Sequence, residues 1–214
     1  MIRDWRLFYM GVVVPASVVI PFIPAVIRYS VFPRELKILS WFLLIDFVAN
    51  GINSVLAYNG INNMPVMHTY TFIEFAILAI FYRAVFADPK MSRFINWLIP
   101  AFFAICVLNV LFFQDIFTFS TYTKSIEALL MVILGILLFM RDLDSIGGAK
   151  NVNAVLAYAN TGILIYFSGS FVWFAVCNLV PGGSILGFNM WLLHATLLVV
   201  FYILTAITLW KYKK

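Results

Sequence analysis

Two hundred and fourteen residues that are 64% hydrophobic and only 11% charged, with a mean hydropathy of +1.01, lie far outside soluble usage, where charged residues make up about 25%. Seven apolar runs at about 20 residues per membrane crossing take up about 140 residues and leave about 74 for tails and loops. That excludes a soluble kinase, nucleotide-binding or nucleic-acid-binding module. The net charge of +5 reflects where lysines and arginines sit relative to a bilayer rather than an affinity for nucleic acid.

In chain order the runs are Leu7 to Ile27, Ile38 to Tyr58, Val66 to Phe86, Phe94 to Phe113, Phe119 to Met140, Tyr158 to Val180 and Phe188 to Trp210. None alternates with period two, as the strands of a transmembrane barrel would, and helices are the other way to satisfy the backbone in lipid. Turn residues separate the runs: Pro33, Asn59-Gly60, Asp88-Pro89, Gly147-Gly148 and Pro181-Gly182-Gly183. The expected fold is all-α, a polytopic transmembrane helix bundle of seven spans forming a single domain over residues 1–214, with sequential helices antiparallel. The first run contains Pro15, Pro21 and Pro24, each of which removes a backbone donor and bends a helix. An alternative reading makes that run a re-entrant segment and leaves six spans.

Seven spans put the termini on opposite sides. Arg28, Arg34, Lys37, Arg83, Lys90, Arg93, Arg141, Lys150, Lys211, Lys213 and Lys214 then share one side, against Arg3 and Arg6 on the other, with Lys124 inside a span. The positive-inside rule places the C-terminus in the cytoplasm and the N-terminus outside the cell membrane. The longest connection, Arg141 to Ala157, is the one loop with enough polar surface for a docking site.

Ionisable residues within a bilayer are rare and costly, so each is a candidate site residue. The second helix carries Asp46, Asn50, Asn53 and Ala57 on one stripe. The third opens with His68, Tyr70 and Glu74, the fifth with Ser120, Tyr122, Lys124 and Glu127, and the seventh with Trp191 and His194. Asn109 and Asn178 close the outward ends of the fourth and sixth. This pattern predicts an outward-facing polar cavity over an apolar inner half, with Asp46, Asn50, Asn53, His68, Tyr70, Glu74, Asn109, Tyr122, Lys124, Glu127 and His194 as ligand-binding candidates. Three carboxylates face one lysine there, and protonation of a carboxylate or histidine would change that balance. Competing readings are a satisfied buried network that sets helix register, and a metal site from His68, His194, Glu74 and Glu127. The latter lacks the paired spacing of specific motifs, so no metal or cofactor is expected. Cys106 and Cys177 read as core thiols, and Gly162 and Gly169 with Ser168 and Ser170 as close packing on the sixth helix. Thr69-Tyr70-Thr71 with Glu74, and Thr121-Tyr122-Thr123 with Glu127, hint at two related hairpins lining one cavity.

Several seven-helix classes fail on motifs. The last helix has no lysine for a retinal Schiff base, no Pro-Gln marks a SWEET-type sugar transporter, and two histidines fall short of a ceramidase-type zinc site. No Ser-x-x-Lys, Gly-x-Ser-x-Gly or Walker pattern occurs. The stretches 117–122 with Glu127, 160–170, 70–75, His194-Ala195 and 206–210 together resemble a family of uncharacterised bacterial multi-pass proteins, from about Tyr70 onward. Members are often encoded beside membrane-associated histidine kinases, so the resemblance implies such a kinase as a partner; it implies no activity or ligand. The expectation is a non-enzymatic membrane sensor or signal-input protein in the bacterial inner membrane. Its cavity would take a small molecule or proton, and its output would pass through a cytoplasmic or membrane partner. The alternative is a small secondary transporter using the same cavity.

Overall fold

The computed structural model describes residues 5–6, 8–144, 154–181 and 184–213. Arg3, Leu7, the Gly147-Gly148 pair, Lys150, Gly182, Gly183, Lys214 and most of the long connection after Arg141 lie outside the described residues. The turn chemistry acts where the chain carries it. Asp88 accepts a hydrogen bond from the Met91 amide at 2.8 Å, with Pro89 at the first helical position. Just before it, Ala87 turns left-handed at φ 49° and closes the preceding helix with its N–H on the Arg83 carbonyl. Gly60 takes φ 69° after Tyr58, and Ser184 Oγ accepts from the Gly187 amide at 3.1 Å.

Seven long helices result, and no strand occurs among the described residues. They are α1 (Tyr9–Ile27), α2 (Arg34–Tyr58), α3 (Met64–Phe86), α4 (Pro89–Phe113), α5 (Thr121–Asp144), α6 (Ala154–Val176) and α7 (Ile185–Lys211). Six are long and apolar enough to cross a membrane, which makes this a multi-pass membrane protein. The proline-rich α1 is among the six, at 19 residues. It accommodates its prolines through irregular backbone, with a π-helical turn at Tyr9–Val13 and a break after Ala16, where Ser17 Oγ donates to the Val14 carbonyl at 2.5 Å. The helix outside the six is α5, whose 24 residues carry Lys124, Glu127, Arg141, Asp142 and Asp144. At about 1.5 Å per residue it is as long as its neighbours.

The packing order differs from the chain order. Contacts run α1 to α2, α2 to α3, α3 to α5, α5 to α6, α6 to α7 and α7 back to α1, a closed ring of six helices, while α4 packs on the outside against α3. Aromatic pairs form that outer seam: Phe75 and Phe102 lie 4.2 Å apart between ring centroids, and Phe72 and Phe103 4.9 Å. Trp97, Phe112 and Phe113 on the free side of α4 are exposed, as surfaces meant for lipid tails are. The tightest seams depend on glycine. A Cβ on Gly135 would lie 2.6 Å from Leu164, one on Gly169 2.6 Å from Leu197, and one on Gly162 3.2 Å from Phe201. The small residues of α6 thus set close packing against α7, as expected, and Gly135 does the same between α5 and α6.

One end of the ring is held by arginines. Arg28 donates to the carbonyls of Leu209, Trp210 and Tyr212, the last at 2.5 Å, at the end of α7. Arg141 donates to those of Val85 and Phe86 at the end of α3, at 2.9 and 3.2 Å. Both satisfy terminal carbonyls that have no intrahelical partner and place positive charge at the negative end of a helix dipole. Above this capped end lies a layer of fully buried side chains, among them Leu39, Leu43, Leu78, Phe81, Leu134, Leu138 and Ile163. One polar tie crosses it: Tyr82 O–H donates to Asn160 Oδ1 at 2.8 Å, and Asn160 Nδ2 donates to the Gly135 carbonyl at 3.0 Å.

Candidate functional site

The opposite end is formed by the C-terminal half of α2, the N-terminal halves of α3, α5 and α7, and the C-terminal half of α6. Between them is a cavity of about 140 Å³ lined by Phe42, Asp46, Ala49, Asn50, Asn53, Met67, Tyr70, Glu74, Phe119, Lys124, Tyr166, Phe174, His194 and Leu198. Its polar groups fall into two clusters. Asp46, buried at mid-length of α2, accepts hydrogen bonds from Tyr70 O–H at 2.6 Å, from Tyr202 O–H, and from Asn50 Nδ2 at 3.0 Å. One carboxylate therefore ties α2 to both α3 and α7. Lys124, 3% exposed, donates to Glu74 Oε2 at 2.6 Å and to Glu127 Oε2 at 2.9 Å. The Lys124 ammonium also lies 5.5 Å from the ring centre of Tyr70 and 5.8 Å from that of Phe174. A charged lysine so deep is retained because two carboxylates and two aromatic faces replace its water.

His194 Nδ1 and Ser170 Oγ share a hydrogen bond of 2.8 Å between α7 and α6, and the imidazole packs on the rings of Tyr166 and Phe174. Asn53 turns its Nδ2 to Met67 Sδ at 3.2 Å, and its Oδ1 is buried without a partner. Glu127 Oε1 is likewise buried without a partner, behind the cavity wall.

Of the expected site residues, Asp46, Asn50, Asn53, Tyr70, Glu74, Lys124 and His194 come together on the wall, with Glu127 immediately behind. Three do not. Tyr122 is 56% exposed on the outer surface of α5. Its repeat partner Tyr70 stands four residues before Glu74 and shares its face, whereas Tyr122 stands five before Glu127. At 3.6 residues per turn that extra residue rotates the phenol about 100° away. His68 faces the α4 side instead, where its Nε2 donates to the Thr118 carbonyl at 2.9 Å. Asn109, buried at the end of α4, donates to Gln114 Oε1 at 3.2 Å. Both belong to the seam with the outlying helix, because α4 lies outside the ring. The proposed four-residue metal set is broken for the same reason, and no group of three His, Cys, Asp or Glu among the described residues is placed to hold a metal. Cys106 and Cys177 are free thiols.

The structure adds Tyr202, which holds the lining residue Asp46 from α7, and the lining aromatics Phe42, Phe119, Tyr166 and Phe174. A signal for some of them is present in the chain. Starting from His194, the stripe at i, i+4 and i+8 reads His194, Leu198 and Tyr202 on α7, and starting from Ser170 it passes through Tyr166 and Phe174 on α6. Compared with known proteins, the chain matches no protein-family model, no curated protein and no solved structure.

Proposed function

We propose that this chain is a membrane sensor or signal-input protein whose cavity faces outward, with the N-terminus outside and the C-terminus in the cytoplasm, and that a small molecule or proton is its input. One observation carries the reading: a cavity in which Asp46, Glu74, Lys124 and His194 meet at one end of a closed helix ring, above a layer of fully buried apolar side chains. A site open on one side and packed shut beneath suits binding that is read out by helix rearrangement. Asp46, which holds α2, α3 and α7 together, is the group through which such a change would spread. The arginine-capped end carries most of the basic residues and supports the cytoplasmic assignment. A partner docks there, a membrane-associated histidine kinase being the one implied by the family resemblance.

The test has two arms. A reporter fused at the C-terminus is expected to behave as cytoplasmic and one inserted after Pro181 as external; the reverse overturns the orientation. The purified chain in sealed vesicles is expected to give neither solute uptake nor proton flux. A secondary transporter is the second reading, favoured by the placement of buried carboxylates at mid-depth between helices of a closed ring. Flux abolished by Asp46→Asn would replace the sensor by the transporter.

A further inference from the structure

What kind of molecule suits the cavity follows from which hydrogen-bonding groups on its wall are already used. Most of the donors are committed to neighbouring side chains, the Tyr166 O–H and the third N–H of Lys124 being the exceptions. Tyr70 and Tyr202 give their O–H groups to Asp46, Asn50 Nδ2 goes to the same residue, Asn53 Nδ2 goes to Met67 Sδ, and Lys124 spends two N–H groups on Glu74 and Glu127. The acceptors are in surplus. Asn53 Oδ1 is buried without a partner, and among the described residues Glu74 Oε1 and Asn50 Oδ1 accept no hydrogen bond. A buried acceptor left unmatched is costly, so Asn53 Oδ1 favours a ligand that brings it a donor.

Charge and wall shape point the same way. Three carboxylates, Asp46, Glu74 and Glu127, stand about the single cation Lys124, a balance that favours a positive guest over a negative one. Phe42, Phe119, Tyr166 and Phe174 present aromatic surface to the same space, and the Lys124 ammonium already rests against two of the cavity's rings. Aromatic faces hold ammonium groups well, whereas a bare metal ion asks for a shell of oxygens that such walls do not supply. Building on the ligand cavity proposed above, we infer that it is a site for a small primary ammonium ion, R–NH3+ with a short alkyl group. Asn50, Glu74 and Asn53 supply the acceptors and the rings supply the pocket for R. The volume of about 140 Å³ limits the guest to a few heavy atoms.

The test uses the full chain in nanodiscs of neutral phosphatidylcholine, with thermal unfolding and intrinsic fluorescence as readouts. Methylammonium and propylammonium chloride are compared with sodium, potassium and tetramethylammonium chloride, sodium acetate and acetamide at constant ionic strength. A saturable rise in Tm is expected with a primary ammonium and with none of the others. Asn53→Leu, which leaves the Lys124 ion pairs intact, is expected to weaken the apparent affinity about tenfold or more, the loss of one hydrogen bond to a charged group. Glu74→Gln is expected to act in the same direction, and should it fail to fold, Asn53→Leu decides. Saturable binding of acetate, acetamide or an alkali ion in place of ammonium overturns the ligand class and leaves the cavity reading standing. A response to pH alone, lost in Asp46→Asn, overturns the ammonium and keeps the proton as input. Silence toward every solute and toward pH overturns both.

Discussion

The two ends of the helix ring are held by opposite means. At the capped end, charge stays at the rim, where Arg28 and Arg141 close the termini of α7 and α3, and the interior is Leu, Ile and Phe in close packing around glycine seams. At the cavity end, charge sits inside: one lysine and three carboxylates link four helices, α2, α3, α5 and α7, around a cavity. Apolar packing in lipid has no hydrophobic driving force of its own and relies on fit. Buried ionic groups add little net stability, yet they penalise any arrangement that unpairs them. One end is therefore built for permanence. The other has few satisfied arrangements, each dependent on what occupies the cavity.

The largest expected effect is at the cavity end. Lys124→Met leaves Glu74 and Glu127 without their cation and is expected to destabilise the bundle by about 3–5 kcal/mol, as for a broken buried pair, read by chemical unfolding in detergent or nanodiscs. Combining it with Glu127→Gln is expected to recover part of that cost. Strict additivity would show that the residues do not act as one network. At the capped end, Gly135→Val drives a side chain into Leu164 and is expected to cost about 1–3 kcal/mol through overpacking. That cost should be insensitive to any ligand that stabilises the cavity end. A ligand-dependent cost would mean that the two ends rearrange together.

Smaller effects sharpen the contrast. Tyr82→Phe removes one interhelical hydrogen bond, and by the scale of such bonds within membranes is expected to cost about 0.6 kcal/mol. Tyr70→Phe, which loses its bond to Asp46, is expected to cost about as much or up to about 1.7 kcal/mol and to alter the cavity's response as well. Smallest of all, Tyr122→Phe is expected to stay within about 0.5 kcal/mol of the parent and to leave the cavity's response unchanged. A phenotype there as strong as that of Tyr70→Phe would restore the repeat symmetry that the helix geometry denies.

Much was legible in the chain because the bilayer is a severe solvent. Composition, run length and the absence of period-two alternation dictate helices, since nothing else satisfies the backbone there. The cost of burying charge turns Asp46, Glu74, Lys124 and Glu127 into visible markers of a site. Helical spacing alone puts Asp46, Asn50 and Asn53 on one stripe. What it could not reveal is which helices touch. The exclusion of α4 from the ring follows from side-chain fit between helices far apart in sequence, and it is this exclusion that carries His68 and Asn109 away from the cavity. The rotation of Tyr122 was implicit in its five-residue spacing but became decisive only once Glu127 was seen to face inward. Tyr202 illustrates the remainder: a tyrosine in an apolar helix is unremarkable until the packing of α7 brings its hydroxyl to Asp46, 156 residues away. Local pattern decides which residues cannot face lipid, and tertiary packing decides which of them meet.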